Sequence, residues 1–328
     1  MGIPFLPRLS AGAWGNDMKV LIADDDRVSS KILERDLLKW GYEVIVAHDG
    51  QSAYEMIKEH QIQLAILDWM MPKISGIELS RKIRHESRDH YTYIIMLSSK
   101  QSHDDMQHGF SAEIDDYITK PYQQWELEAR LASGQRVINM QNELEESRRK
   151  LKILAEHDGL TGIFNRNSII EHLNKELNRA HREQQPVGVI MLDIDNFKTI
   201  NDSLGHQAGD TVMQELTTRL KRLLRPYDEI GRYGGDEFLI VIPKASSEHI
   251  GSIAERIRVA IAAMKITYNG HITDVSLSLG CAVSDHISAL SSDELIAAGD
   301  QALYKAKKMG RNRVVVHPKN KSQPENGG

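Results

Sequence analysis

From Met18 onward the apolar residues fall into short runs separated by stretches with helical spacing. Lys19–Ala23 reads KVLIA and ends in three acids. Residues 27–40 carry Val28, Ile32, Leu37 and Leu38 at helical intervals. The rhythm repeats: strand Glu43–Ala47, helix 51–58, strand 64–67, helix 76–84, strand 93–97, helix 103–110 and strand 117–119. Five short apolar strands alternating with helices predict a parallel sheet covered on both faces, within the α/β class. Ligands of such sheets bind at the carboxyl ends of the strands.

The pattern then changes. Val137, Leu144 and Leu151 recur every seven residues, with Met140, Ser147 and Leu154 three later. This a/d seam fits a two-stranded coiled coil, or one amphipathic helix packed on a neighbouring domain. Beyond His157, helices are expected over 167–182, 207–224, 248–264 and 292–309. Strands are expected over 187–193, 238–243 and 275–283, with a hairpin over 230–243 turning on Gly234-Gly235. Length agrees with more than one domain, since 328 residues exceed what a single core usually serves. We divide the chain into a leader (1–17), a first α/β domain (18–135), a helical connector (136–157), a second α/β domain (158–317) and a disordered tail (318–328). The leader is read as disordered, an expression scar or an upstream start.

Composition narrows the function classes. One cysteine, Cys281, excludes an internal disulfide and a multi-thiolate zinc site. A net charge of −5 argues against a general DNA-binding surface. No apolar run approaches the roughly 18–20 residues that cross a bilayer. The Met1 to Asp17 stretch lacks the h-region of a secretion signal, so a cytoplasmic protein without membrane insertion is expected.

The acids stand where a parallel sheet binds ligands. Asp24, Asp25 and Asp26 follow the first strand, Asp68 ends the third, Ser98 and Ser99 the fourth, and Lys120 the fifth. Clustered carboxylates repel and call for a hard divalent cation such as Mg²⁺. A nearby lysine can balance an anion added to one of them. The set suits Asp68 as a phospho-acceptor, with Mg²⁺ and Lys120 balancing the phosphoryl oxygens. Strand-end acids that merely solubilise loops are the alternative for the Asp triplet alone.

Through LIADDD (21–26), LDWMMPKISG (67–76), MLSS (96–99) and DYITKP (116–121), the first domain resembles the receiver domains of bacterial response regulators. The resemblance implies a flavodoxin-like doubly wound fold. It implies one Mg²⁺ held by Asp24, Asp25, Asp68 and the Met70 carbonyl, and phosphorylation of Asp68 by a sensor histidine kinase. Ser98 would bond the phosphoryl group and Tyr117 would be an aromatic switch. Ser98 stands where many members have threonine, which keeps the hydroxyl donor.

A second set of acids lies in the later domain. Asp193 and Asp195 end an apolar strand, and Asp236-Glu237 follow the glycine turn. Two glycines permit a tight turn and a close approach of phosphate to the backbone. Acids on two adjacent strand ends can hold two metal ions, which bind triphosphate oxygens and activate a ribose hydroxyl. Asn201 and Asp210 flank a glycine-containing loop and helix start, and a carboxylate there can accept the two N–H donors of guanine. Lys307 and Arg311, four apart at a helix end, suit phosphate oxygens.

Through HDGLTGIFNR (157–166), LDIDNFKTINDSLGHQAGD (192–210), RYGGDEF (232–238) and ALYKAKKMGRN (302–312), this half resembles the GGDEF family of diguanylate cyclases. The resemblance implies a fold like the nucleotidyl cyclase and polymerase palm. It implies condensation of two GTP into cyclic di-GMP and two pyrophosphates, with two Mg²⁺ per site. Asp193, the Ile194 carbonyl, Asp236 and Glu237 would serve the metals. Asp236 is the expected proton acceptor, with Glu237 competing. Asn201 and Asp210 would read guanine; Lys198, Lys307 and Arg311 would hold phosphates beside Gly234 and Gly235. Arg225-Pro226-Tyr227-Asp228 fits RxxD, the family's inhibitory product site, with Arg256 as a second arm. Two facing GTP sites imply a homodimer, expected through the receiver and connector helix. A non-catalytic cyclic di-GMP binder is disfavoured by the intact acids, and a mixed-purine cyclase by Asp210.

Overall fold

The computed structural model describes residues 18–86, 91–99, 113–284 and 291–318. The leader 1–17, the helix expected over 103–110 and residues 319–328 of the tail lie outside the described residues. The chain divides between Arg148 and Arg149 into two compact units.

The first unit is built from β1 (Lys19–Ala23), α1 (Arg27–Lys39), β2 (Glu43–Ala47), α2 (Gly50–His60), β3 (Leu64–Asp68), α3 (Gly76–Glu86), β4 (Tyr93–Ser98) and β5 (Asp116–Thr119). The strands form one parallel sheet in the order β2-β1-β3-β4-β5. Strand alternation assigns each apolar residue to a face. Val20, Ile22, Leu64, Ile66, Ile95 and Leu97 pack with Leu33 and Leu37 of α1. Leu21, Ala65, Leu67, Ile94 and Met96 pack on the other side with Ile57 of α2 and Leu79 and Ile83 of α3. The strand order reverses between β1 and β3, β2 being added on one side and β4 and β5 on the other, so the carboxyl ends of those two strands open a crevice. Asp26 is the cap of α1, its carboxylate accepting from the Val28 N–H at 2.9 Å.

A single helix, α4 (Gln124–Glu156), follows β5. Leu127, Leu131 and Ile138 bury themselves in the α1-side core. Past Ile138 the apolar residues of the seam are open: Met140, Leu144, Leu151 and Leu154 are 60%, 45%, 65% and 72% exposed. The helix runs without a break through residues 135–136.

The second unit contains α5 (Arg166–Glu183), β6 (Val187–Ile194), α6 (Phe197–Leu204), α7 (His206–Leu223), β7 (Glu229–Arg232), β8 (Glu237–Pro243), α8 (Ser247–Ala262), β9 (Lys265–Tyr268), β10 (His271–Asp274), β11 (Leu277–Val283), α9 (Ser292–Lys308) and β12 (Val314–Val316). The main sheet runs β12-β11-β6-β8-β7, antiparallel except for the β11–β12 pair. Ile190, Leu192, Phe238, Ile240 and Leu279 face α7 and α8. Val189, Met191, Leu239 and Val241 face α5 and α9. Cys281 is wholly buried on the α7–α8 side, and burial pushes its thiol up to about 12.

Sequence pattern did not predict α6, β9, β10 or β12. Asn201, expected to flank a glycine-containing loop, lies within helix α6. No helix among the described residues is long and apolar enough to cross a membrane.

Candidate functional site

The crevice of the parallel sheet gathers the first set of acids. Ligand oxygens of Asp24, Asp25 and Asp68 all lie within 4.8 Å of one another. Asp24 is buried and Asp25 exposed. The Lys120 ammonium bridges the two inner carboxylates, 2.9 Å from Asp24 Oδ2 and 2.8 Å from Asp68 Oδ1. Burial raises the Asp68 carboxyl above the ordinary range; Lys120 pulls it down, and Asp24 and Asp25 push it up again. Burial works against charge on Lys120, but its bonds to Asp68 and Asp24 raise it overall. One lysine thus faces three carboxylates, and hard oxygen donors short of positive charge fit a divalent cation. Ser98 is buried at the end of β4, opposite Thr119 of β5, and Tyr117 lies opposite Met96. The Tyr117 ring meets Trp69 edge-on, with centroids 6.4 Å apart. Met70 lies two residues past Asp68 with its side chain exposed.

The second set is assembled by strand pairing. In the β6–β8 ladder Asp193 lies directly opposite Glu237. Like charges placed opposite one another destabilise a sheet, and the apolar pairs of the same ladder, Leu192 with Phe238 and Ile190 with Ile240, offset that cost and hold the register. The Ile194 N–H donates to the Asp236 carbonyl at 3.4 Å, which closes the acidic turn onto β6. Burial, then the charges of Asp236 and Glu237, push the Asp193 carboxyl up to about 6, although Lys307 bonds it at 2.7 Å. A buried acid held partly against its own ionisation by two neighbours is relieved by added positive charge, so these oxygens also fit a divalent cation.

The turn between β7 and β8 is closed by Tyr233 and Gly234 N–H groups donating to the Glu237 carbonyl, at 2.8 and 3.2 Å. Neither Gly234 nor Gly235 has positive φ. A Cβ at Gly234 would lie 2.8 Å from Glu237 Oε2, so glycine there leaves room for that carboxylate, while a Cβ at Gly235 would meet nothing within 4 Å and the turn is open at that point. Arg232 braces the turn through its guanidinium, which bonds the Gly235 carbonyl twice and Asp158 once.

Helices α6 and α7 supply the next residues. A Cβ at Gly209 would lie 2.0 Å from Asn201 Oδ1, so only glycine lets the Asn201 side chain lie across α7, next to Asp210. Asp210 and Lys198 are exposed. Lys307 and Arg311 stand at the end of α9, and Arg311 is exposed at φ 61°.

The RxxD segment folds into a turn. The Arg225 N–H donates to Asp228 Oδ2 at 2.9 Å, and the Asp228 N–H to the Arg225 carbonyl at 3.0 Å. The Arg225 guanidinium bonds the Tyr227 hydroxyl at 2.8 Å rather than Asp228. Asp228 is buried, and its Oδ1 has no partner. Arg256 reaches the same corner, donating to the Leu223 carbonyl at 2.9 Å. Three residues had no assigned role: Asp158 and Arg232, which brace the glycine turn, and Asp195, whose carboxylate accepts from the Asn312 N–H beside Arg311. Alternating acids in LDIDN were the one sign of Asp195 in the sequence; the other two meet only through contacts distant in the chain.

Comparison with known proteins agrees with this architecture. Residues 20–132 match the model of the response regulator receiver domain, and residues 155–313 that of the diguanylate cyclase GGDEF domain. The response regulator PleD of Caulobacter vibrioides is 27% identical over 301 residues, which are 90% of this chain and 65% of PleD. The diguanylate cyclase DgcP of Pseudomonas aeruginosa is 35% identical over 228 residues, 67% of this chain and 33% of DgcP. The chain thus spans less than two thirds of either curated relative. The crystal structure of the coiled coil and GGDEF domain of DgcB from Caulobacter crescentus, in complex with c-di-GMP, has a TM-score of 0.51 and 32% identity. That likeness covers 58% of this chain and 98% of DgcB's. The chain belongs to the response regulators that carry a GGDEF domain behind a receiver domain.

Proposed function

We propose that the chain is a phosphorylation-controlled diguanylate cyclase that condenses two GTP into cyclic di-GMP and two pyrophosphates. The observation that carries this reading is the Asp193–Glu237 pair, held opposite across the β6–β8 ladder beside open space at Gly235. Asn201 and Asp210 accept from the guanine edge. Lys198, Lys307 and Arg311 hold the triphosphate. The ribose 3′-oxygen attacks the α-phosphorus of the facing GTP and pyrophosphate leaves. The 3′-proton goes to Asp236, with Glu237 the competing acceptor. Mg²⁺, two ions on Asp193, Asp236, Glu237 and the Ile194 carbonyl, would bind phosphate oxygens and make the hydroxyl easier to deprotonate.

Two GTP must face each other, so the active form is a two-fold homodimer. The open seam of Met140, Leu144, Leu151 and Leu154 supports pairing through the connector. We keep the division into receiver (18–135), connector (136–157) and cyclase (158–317). A sensor histidine kinase phosphorylates Asp68, where Asp24, Asp25 and the Met70 carbonyl would share one Mg²⁺ with it. Lys120 and Ser98 then contact the phosphoryl oxygens, and Tyr117 shifts with them. The added charge changes which pairing of the connector is favoured. Cyclic di-GMP inhibits by binding Arg225, Asp228 and Arg256; the unpartnered Asp228 oxygen supports this. A cytoplasmic setting belongs to the same reading, since GTP is supplied there.

The test is incubation of the pure chain with GTP, Mg²⁺ and a small phosphoryl donor, followed by product identification. Cyclic di-GMP is expected, faster with the donor and not so in Asp68→Asn. No cyclic dinucleotide from a phosphorylated dimer overturns the cyclase reading; equal rates for wild type and Asp68→Asn overturn the coupling.

A further inference from the structure

Asp195 is buried, yet no metal or phosphate role falls to it in the scheme above. Its carboxylate is taken up by three neutral donors. Oδ1 accepts from the Ser278 hydroxyl at 2.6 Å. Oδ2 accepts from the Ser276 hydroxyl at 2.7 Å and from the backbone N–H of Asn312 at 3.0 Å. Buried carboxylates persist when their oxygens are bonded in this way.

The Asn312 bond joins the end of β6 to the turn that carries Arg311. That turn has three successive residues of positive φ: Gly310 at 110°, Arg311 at 61° and Asn312 at 44°. L-residues rarely adopt two such conformations in a row, so neighbours must hold them. The Arg311 N–H bonds the Ala306 carbonyl at 3.1 Å, and Arg258 bonds the Asn312 side chain at 2.9 Å. Asp195 supplies the tie to the acidic strand. A second tie, Asp193 to Lys307 at 2.7 Å, joins β6 to the end of α9, which leads into that turn. Lys307 is also a phosphate ligand in our scheme, so that tie opens when Lys307 turns to nucleotide. The Asp195–Asn312 bond is the one that remains.

We propose that Asp195 is a positioning residue for the nucleotide triphosphate: it fixes the Gly310–Asn312 turn against β6 and so aims Arg311 at the phosphates. This rests on the cyclase reading. The role requires an acceptor at Oδ2 and not a negative charge. Asparagine can keep its amide oxygen toward Ser276 and Asn312 while the Ser278 hydroxyl rotates to accept from its NH₂.

The test uses the full chain as wild type, Asp195→Asn and Asp195→Ala. The readouts are amide exchange at Asn312 and the KM and kcat for GTP. Asp195→Ala is expected to speed Asn312 exchange by about 100-fold and to raise KM by about tenfold with a much smaller change in kcat. Asp195→Asn stays near wild type in both. Wild-type exchange in Asp195→Ala, or a loss in kcat with KM unmoved, overturns the proposal. So does an Asp195→Asn as damaged as the alanine variant, which would mean that charge matters. If Asp195→Ala does not fold, Ser276→Ala carries the test with Asp195→Asn. It is expected to raise both exchange and KM by a smaller factor, and no change in either overturns the proposal. If the wild type makes no cyclic dinucleotide, the cyclase reading fails while the exchange measurement still decides whether Asp195 holds the turn.

Discussion

Arg232 and Asp158 are bonded at 3.0 Å, and the same guanidinium grips the Gly235 carbonyl at 3.0 and 2.8 Å. Asp158 also accepts from the N–H and hydroxyl of Thr161. The residues that open the cyclase domain are thereby bonded to the turn that displays its acids. Burial opposes ionisation of Asp158, but the Thr161 and Arg232 bonds win and hold its carboxyl below the ordinary 3.8. A depressed folded value means that this stabilisation is present above the unfolded value and is lost as pH falls through the folded one. Asp158→Ala should lower stability by about 2 kcal/mol at pH 7. The gap between wild type and variant in urea midpoint should stay level from pH 7 to about 5 and close below about 4.

Asp193 behaves in the opposite sense. Its carboxyl is raised to about 6 against an ordinary 3.8, so ionising it costs the folded state above pH 6 and nothing below about 4. Asp193→Asn should therefore be more stable than wild type at pH 7.5, by about 2 kcal/mol, and inactive. The gain should shrink between pH 6 and 4. Thermal unfolding across that range checks the sign.

Gly209→Ala separates recognition from folding. The new Cβ would meet Asn201 Oδ1 at 2.0 Å, and a side-chain end can swing away. Alanine also favours the helix by up to about 1 kcal/mol. Stability should change little, while KM for GTP rises about tenfold, as loss of a base contact of about 1.4 kcal/mol requires.

Lys120→Met leaves buried Asp24 beside Asp68 without a cation. Stability should fall by about 3 kcal/mol in metal-free buffer. Millimolar Mg²⁺ should restore more of it in the variant than it adds to wild type, read as a shift in Tm.

Arg225→Ala should leave a cyclase whose rate declines less as product accumulates, with the half-inhibitory product concentration raised at least about tenfold. Progress curves with added cyclic di-GMP check this. Unchanged inhibition would remove Arg225 from the product site.

The strands of the parallel sheet, and β6, β7, β8 and β11 of the second, were legible because their apolar runs are bounded by acids, glycine or proline. Helix α6 was not: FKTINDSL is short, and Asn196 at its start sits at φ 56° with no side-chain cap. β9 and β10, KITY and HITD, form a separate pair of four-residue strands with Ile266 alone buried, too little apolar sequence to mark a strand, and β12 has three residues. The acids could be read from their strand ends, because a strand's direction fixes where its last residue goes. Asp195 could not be assigned, since its bond to Asn312 spans 117 residues. The fate of Asp26 as a helix cap and the orphaned oxygen of Asp228 were equally beyond pattern, since each depends on a local turn.

Burial of the lone cysteine has a practical side. With Cys281 sealed in the core and its thiol pushed to about 12, maleimides and disulfide-forming oxidants reach no native thiol in the folded protein. A single cysteine introduced at Leu144 or Leu151 is then the one addressable thiol per chain. Disulfide trapping at either site reads the pairing of two connector helices directly, and its yield before and after phosphoryl transfer reports the signal as it passes.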